Sequence, residues 1–120
     1  MMIEGLHHIQ LAMPFGGEQR ARAFYINILG FTEVEKPTAL QGRGGVWFAA
    51  ADVQLHLGVE TPFTAAKKAH PAFRVASLDN TILHLQAQGI AHRWDVDLPA
   101  ICRIYIDDPF GNRIELLEMT

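Results

Sequence analysis

Histidine and carboxylate side chains recur at corresponding places in the two halves of this 120-residue chain. His70 follows His8 by 62 residues, and Glu115 follows His56 by 59 residues. Imidazole nitrogens and carboxylate oxygens together bind divalent transition metals such as Fe²⁺, Mn²⁺, Co²⁺, Ni²⁺ or Zn²⁺. The repeat therefore predicts a site for one divalent ion of this group, with His8, His56, His70 and Glu115 as ligands.

The helix-like segments repeat with nearly the same spacing, since Gly89 follows Gly30 by 59 residues. If the two halves differ by one short stretch of residues, before or within the first helix, this spacing agrees with the longer spacing of the histidines. A long internal period indicates a duplicated structural module. Modules of about 60 residues are marginal alone, so we expect the two to pack together, within one chain or across a dimer.

The candidate ligands lie in segments in which polar and apolar residues alternate. Residues of equal parity share one face of a strand, so Gln10 lies on the face of His8 and Arg74 on the face of His70. We expect the apolar faces to pack on the helices and the polar faces to border a concavity or solvent. The alternative is that the histidines simply lie on a strand face that is exposed to solvent.

Each half has the pattern of a strand, a helix and three further strands, which predicts an α+β chain. In the first half the segments are 6–13, 18–29, 31–36, 46–50 and 53–58. In the second they are 70–75, a helix capped by Ser77 or Asp79 and ended by Gly89, then 91–95, 101–107 and 113–118. We expect a single domain with module one at about 1–59, a linker at about 60–69 and module two at about 70–120.

Other polar side chains near these segments have both a functional and a local interpretation. The guanidinium groups of Arg74 and Arg103 could bind an anionic substrate group, and Tyr105 could donate a proton. Alternatively, each is a strand-face group in a local ion pair. His7, of opposite parity to His8, is expected to pack under the sheet edge, and Trp47 is expected to serve as packing.

Composition narrows the class of protein. A net charge of −3 argues against nucleic acid as a partner, and no segment approaches the ~20 apolar residues of a membrane span. No export signal is visible at the start. The single cysteine, Cys102, excludes an internal disulfide and fits a reducing compartment. We therefore expect a cytoplasmic protein whose partner is a small molecule, with no nucleic acid and no membrane.

Several motifs resemble the vicinal-oxygen-chelate superfamily, which includes glyoxalase I, extradiol dioxygenases, fosfomycin-resistance thiol transferases and bleomycin-resistance proteins. The matching segments extend over essentially the whole chain: 8–11, 24–25 with 29–31, 70–75 and, most specifically, 108–116. The resemblance implies two paired βαβββ modules that form a curled mixed sheet around a cavity, with the metal bound inside. It also implies a homodimer.

By this resemblance, His8, His70 and Glu115 occupy metal-ligand positions that many members share. His56 stands where glyoxalase I carries its other glutamate. Since that enzyme moves a proton with its carboxylate pair, the histidine argues against true glyoxalase I activity. A fourth protein ligand at His56 would also leave less room than the extradiol dioxygenases need for substrate and oxygen. The thiol transferases share the three ligands and a tyrosine at the place of Tyr105.

The resemblance and the residues together predict a divalent-metal-dependent enzyme of glyoxalase or dioxygenase type, a lyase, isomerase or dioxygenase. It would chelate a small substrate through two neighbouring oxygens. Its catalytic groups would be Glu115 and Tyr105, and its substrate contacts Gln10, Arg74 and Arg103. One alternative is a non-catalytic binding or sequestering protein of the bleomycin-resistance type. Another is a structural remnant whose ligands make only hydrogen bonds. The sequence leaves open the substrate, the metal and whether the modules of one chain pair or exchange with a partner.

Overall fold

The computed structural model describes residues 1–96 and 98–119, and the chain divides into two compact units, Met1–Ala65 and Ala66–Thr120. Each unit contains one βαβββ module with its own four-stranded mixed sheet. The predicted α+β class and the two βαβββ modules are confirmed.

The first unit contains five main elements and one additional short helix. They are β1 (Ile9–Met13), α1 (Glu18–Tyr25), β2 (Thr32–Val34), a 3₁₀ helix (Thr38–Arg43), β3 (Val46–Ala50) and β4 (Val53–Val59). The sheet order is β1-β4-β3-β2, with β1 parallel to β4 and the other neighbours antiparallel. The helix α1 connects two strands at opposite edges of this sheet.

The second unit repeats this topology. Its elements are β5 (Ala72–Arg74), α2 (Leu78–Ala87), β6 (Arg93–Trp94), β7 (Ile101–Asp107) and β8 (Arg113–Met119). The sheet order is β5-β8-β7-β6, again with one parallel pair, β5 and β8. The two sheets therefore have the same strand order and directions, as expected of a duplicated module.

The apolar face of each sheet forms the core of its unit. In the first unit, α1 contributes Ala21, Phe24 and Tyr25, and the rings of Tyr25 and Phe48 stack with centroids 5.4 Å apart. The other buried apolar side chains of these faces include Met13, Leu55 and Leu57 in the first unit and Leu85, Ile104, Ile106, Ile114 and Leu116 in the second. Burial of each such side chain stabilises the fold by about 1.5–3 kcal/mol. Because these residues occupy the apolar face, the polar residues that alternate with them lie on the other face.

Strand boundaries differ from the prediction in a systematic way. The central strands β3, β4, β7 and β8 match their predicted ranges to within one residue, whereas the edge strands β1, β2, β5 and β6 are all shorter. A central strand has hydrogen-bonding neighbours on both sides, but an edge strand ends where its single ladder ends. As a result, His8 immediately precedes β1, and only Pro71 separates His70 from β5.

The helices also differ in detail. The predicted end of the first helix at residue 29 is wrong, because α1 stops at Tyr25 and the chain turns through Gly30, whose φ is 82°. The turn is closed by a hydrogen bond from Phe31 N to Tyr25 O at 2.8 Å. Ser77 rather than Asp79 caps α2, since its side chain accepts from Asn80 N at 3.1 Å. No helix among the described residues is long and apolar enough to span a membrane.

Candidate functional site

The strand register places the candidate ligands in equivalent rows of the two sheets. In the first unit the row runs Gln10–His56–Trp47, and in the second it runs Ala72–Glu115–Tyr105. His8 lies two residues before Gln10, and His70 lies two residues before Ala72. Register neighbours share one face of a sheet, so each unit gathers a histidine, a second candidate ligand and an aromatic side chain on its polar face.

In the first unit, His56 lies between two other rings. Its ring centroid is 3.7 Å from that of Trp47, with the planes parallel, and 4.3 Å from that of His8. His56 is only 5% exposed, whereas His8 is exposed and its Nδ1 lies 2.9 Å from Nδ1 of His7. The structure therefore brings His8 and His56 together, and the expectation that His7 packs under the sheet edge is wrong because His7 is exposed.

Burial of His56 favours its neutral form. Burial lowers the pKa of His56 below its usual 6.5, and the neighbouring imidazoles of His8 and His7 lower it further. Burial has this effect because the charged imidazolium loses hydration. The neutral imidazole is the form that can bind a metal ion.

In the second unit, His70 contacts Glu115 directly. His70 Nδ1 lies 2.8 Å from the carbonyl oxygen of Lys68, and Nε2 lies 3.0 Å from Glu115 Oε1. A carbonyl oxygen only accepts hydrogen bonds, so Nδ1 carries a hydrogen. In neutral His70 the Nε2 lone pair then faces a carboxylate oxygen, and two such acceptors stay this close only with a proton or a cation shared between them.

The charged side chains of Arg103 and Asp95 lie beside Glu115 and Tyr105. Arg103 Nη1 lies 3.8 Å from Glu115 Oε2, and Nη2 lies 3.2 Å from Asp95 Oδ2. The Tyr105 hydroxyl donates to the same Asp95 oxygen at 2.8 Å. The Nε of Arg103 is buried and makes no hydrogen bond to the described part of the chain. Arg103 thus takes part in a local ion pair, one of the two interpretations the sequence left open.

The hydrogen bond between Tyr105 and Asp95 shifts the pKa of both groups. It lowers the pKa of Asp95 from its usual 3.8, with further help from the Val96 N–H and Arg103, and it raises the pKa of Tyr105 from its usual 10.0. Tyr105 therefore retains its proton and directs it at Asp95. Donation to a substrate would require the hydroxyl to turn away from Asp95.

The other predicted substrate contacts lie near these rows. Gln10 is exposed beside His56. Arg74 is exposed near the end of β5, two residues beyond the Ala72–Glu115 pair. Among residues 1–96 and 98–119, no group of three or more His, Cys, Asp or Glu side chains is arranged to hold a metal ion. The structure thus shows the candidate ligands as two pairs, His8 with His56 and His70 with Glu115.

Sequence reasoning missed two residues of these clusters. Trp47 was assigned to packing, yet it alternates with the buried Val46 and Phe48 and so has the parity of the polar face, a signal that was available. Asp95 was placed in a predicted strand without a role. Its contact with Tyr105 depends on the pairing of β6 with β7, which the sequence does not specify.

Comparison with known proteins assigns the family. The family model of the Glyoxalase/Bleomycin resistance protein/Dioxygenase superfamily matches residues 5–116. The chain belongs to this superfamily. Its predicted resemblance is thereby confirmed, whereas a search of curated proteins found no match.

Solved structures of several proteins share the fold. A glyoxalase family protein from Bacillus anthracis is 45% identical, with a TM-score of 0.96 and coverage of 100% of this chain and 98% of that one. The fosfomycin resistance protein FosX from Listeria monocytogenes is 22% identical, with a TM-score of 0.79 and coverage of 99% and 96%. TnmS3, an antibiotic binding protein from Streptomyces sp. CB03234, is 23% identical, with a TM-score of 0.77 and coverage of 100% and 99%.

Proposed function

We propose that this member of the glyoxalase superfamily is a divalent-metal-dependent enzyme of glyoxalase or dioxygenase type. Its ligands would be His8, His56, His70 and Glu115, and its substrate a small molecule with two neighbouring oxygens. The observation that carries the proposal is the contact of His70 Nε2 with Glu115 Oε1 at 3.0 Å, combined with the hydrogen bond that occupies Nδ1.

The His70–Glu115 pair fits a metal ion. The Lys68 carbonyl orients the ring and leaves Nε2 as the ligand nitrogen, as the outer hydrogen bond does for most metal-bound histidines. Glu115 is nearly buried, and while its Oε2 lies near Arg103, its Oε1 faces His70 Nε2, where a cation would satisfy both atoms. A bound divalent ion would supply Lewis acidity at the substrate oxygens.

The His8–His56 pair fits after one side-chain rotation. Two stacked rings direct their nitrogens within nearly parallel planes, so both can bind one ion only if one ring turns. His8 is exposed and precedes β1, and its rotation breaks only the stack with His56 and the contact with His7. Burial lowers the pKa of His56, which favours the neutral form that can bind a metal ion.

The remaining groups would act on the substrate. Glu115 Oε2, which faces Arg103 Nη1 at 3.8 Å, is the oxygen available to accept a substrate proton. Arg103 would steady the carboxylate, and Tyr105 would donate a hydrogen bond once it leaves Asp95. Gln10 and Arg74 would contact substrate substituents, consistent with their exposed positions beside the two rows.

Metal analysis tests the proposal directly. The protein is incubated separately with Fe²⁺, Mn²⁺, Co²⁺, Ni²⁺ and Zn²⁺, desalted and assayed for bound metal. We expect close to one equivalent of the preferred ion, and a strong loss in His70→Ala and Glu115→Gln, because each removes a ligand. His84→Ala, which removes an exposed imidazole on α2, is the control and should bind as wild type. Less than about a tenth of an equivalent of every ion would reject the proposal.

A non-catalytic binding protein is the second candidate, favoured by the parallel stack of Trp47 on His56. Stacked aromatic surfaces suit planar ligands, and the similar TnmS3 is an antibiotic binding protein. This candidate predicts that metal-free protein binds an aromatic ligand as tightly as metal-loaded protein does. It also predicts that His70→Ala leaves that affinity unchanged.

We also propose a homodimer. The family resemblance implies one. Cytoplasmic location remains a prediction from the sequence.

A further inference from the structure

A cleft in the first unit is lined by residues that are not among the candidate metal ligands. It has a volume of about 200 Å³. One side is formed by the segment around the 3₁₀ helix, with Lys36, Leu40 and Arg43. The other is formed by the polar face of the sheet, with Gln10, Trp47 and Gly58.

The cleft is positively charged although the protein is acidic overall. Its lining contains Lys36 and Arg43 but no carboxylate. Neither cation forms an ion pair with any residue in 1–96 or 98–119. Two carboxylates do lie near this segment, but each accepts a hydrogen bond: Glu18 accepts from Gly45 N at 2.9 Å and Glu35 from Gln41 Nε2 at 3.3 Å. The side chains that line the cleft therefore include two cations and no carboxylate, and the two nearby carboxylates are hydrogen-bonded to other groups.

Gly58 allows a polar donor to lie across the floor of the cleft. A Cβ atom at Gly58 would lie 2.5 Å from Nε2 of Gln10. The absence of that carbon lets the Gln10 carboxamide cross from β1 over β4. An amide group, an ammonium group and a guanidinium group thus line one small space.

The wall of the cleft is already formed. Lys36 Nζ donates to the Gly44 carbonyl at 2.5 Å, and Gln41 Nε2 donates to the Lys36 carbonyl at 3.0 Å. Leu40 N donates to the Pro37 carbonyl at 2.9 Å. These bonds fix the segment that carries both cations, so a ligand would not have to order it first.

We propose that this cleft binds a small organic acid. The acid's carboxylate or phosphonate would contact Arg43 and Lys36, because a guanidinium fork matches both groups, and its apolar body would contact Leu40 and Trp47. The volume lies below the roughly 300–1,000 Å³ of pockets for drug-sized ligands, so the ligand is small. Trp47 also stacks on His56, so the cleft adjoins a candidate metal ligand. A small organic acid would therefore be the substrate class of the proposed function, and this inference rests on that function.

Binding is measured with metal-free protein, so that the cleft and the metal site can fail separately. A Trp94→Phe variant leaves Trp47 as the only tryptophan, and its emission is followed during titration with sodium benzoate, phenylphosphonate or neutral benzamide. Equilibrium dialysis measures the same binding independently of emission. We expect saturable binding of at least one anion and at least about tenfold weaker binding of benzamide, since charge-assisted hydrogen bonds distinguish them. The two anions distinguish a carboxylate from a phosphonate ligand.

Matched variants locate the site. Arg43→Gln and Lys36→Gln should each weaken anion binding about tenfold and leave benzamide binding unchanged. Arg43→Lys should retain most of the affinity. Gly58→Ala should also weaken binding, because its methyl group displaces Gln10. The control, Lys67→Gln, removes one positive charge from an exposed position outside the cleft and should behave as wild type.

Three results would overturn the proposal: no saturable anion binding by either method, equal affinity for benzamide, or an equal loss in Lys67→Gln. Circular dichroism checks the fold of every variant. Arg43 is exposed and has no ion pair among the described residues, so its substitution is not expected to disturb folding, and this variant decides the result if Lys36→Gln is unstable. Anion binding without metal uptake would support the cleft and reject the metal site, and the reverse result would do the opposite.

Discussion

Asp95 organises the polar side chains beside Glu115. One of its oxygens accepts from the Tyr105 hydroxyl at 2.8 Å and lies 3.2 Å from Arg103 Nη2. The other accepts from Val96 N at 2.7 Å. Because Arg103 also lies 3.8 Å from Glu115, Asp95 controls the position of a cation that faces the candidate metal ligand.

This arrangement predicts a specific pH dependence. The folded-state pKa of Asp95 lies below its usual 3.8, and the Tyr105 hydrogen bond is the largest cause. The resulting stability is present above that usual value and is lost as pH falls through the folded-state pKa. Tyr105→Phe should therefore make the loss of unfolding free energy on acidification shallower, as measured by urea unfolding between neutral pH and about pH 3.

A double-mutant cycle isolates this effect. In an Asp95→Asn background there is no carboxylate to titrate, so Tyr105→Phe should no longer change the slope of stability against pH. If the slope changed equally in both backgrounds, the effect would come from another titrating group. If it did not change in either, the hydrogen bond would not perturb Asp95 in solution.

At the scale of elements, the two modules use one framework for different chemistry. The same register position holds His56 in β4 and Glu115 in β8, and the next strand brings Trp47 and Tyr105 to equivalent places. In the first unit, the ring next to the candidate ligand is the indole of Trp47, which stacks on His56. In the second it carries a hydroxyl, which recruits Asp95, so the contacts are hydrogen bonds and ion pairs.

The segment between β2 and β3 depends on a close approach of Gly45 to β4. Gly45 has a φ of 86°, and a Cβ there would lie 2.3 Å from the Leu57 carbonyl oxygen. We predict that Gly45→Ala destabilises the protein by at least about 2 kcal/mol, because backbone strain and the steric clash add. The change in unfolding free energy is measured by urea denaturation.

Gly42→Ala is the matched control. It lies in the same segment, its Cβ would meet nothing within 4 Å, and its φ is not in the positive region. The same chemical change should therefore be close to neutral or mildly stabilising. Equal destabilisation by both substitutions would contradict the argument from the Gly45 contact. Gly45→Ala should also weaken benzoate binding, since it displaces the wall that carries Arg43.

At the scale of the whole molecule, we predict a homodimer. Sedimentation equilibrium should give about twice the 13.4 kDa mass of the chain at micromolar concentration, as the family resemblance implies. The control is a dilution series, which separates a stable dimer from weak association. A mass equal to one chain over the whole series would contradict the prediction.

Much of the fold could be predicted because its signals are local. The sequence predicted each of the eight strands in the described part of the chain, and the central ones to within one residue. Around the candidate ligands the signal was alternating polarity, which burial of one face requires. Edge strands and the end of α1 were less accurate, because their limits depend on where tertiary hydrogen bonds stop. The 3₁₀ helix Thr38–Arg43, which forms a wall of the cleft, was not predicted.

The sequence alone determined the duplicated module, the polar parity of His8, His56, His70 and Glu115, and the superfamily. These follow from spacing along the chain, which survives in any arrangement of the strands. Only the tertiary structure decided which side chains meet: His56 with Trp47, His70 with Glu115, Tyr105 with Asp95, and Arg43 with the floor of a cleft. Those contacts depend on strand register and loop path, which are set by interactions between residues far apart in the sequence.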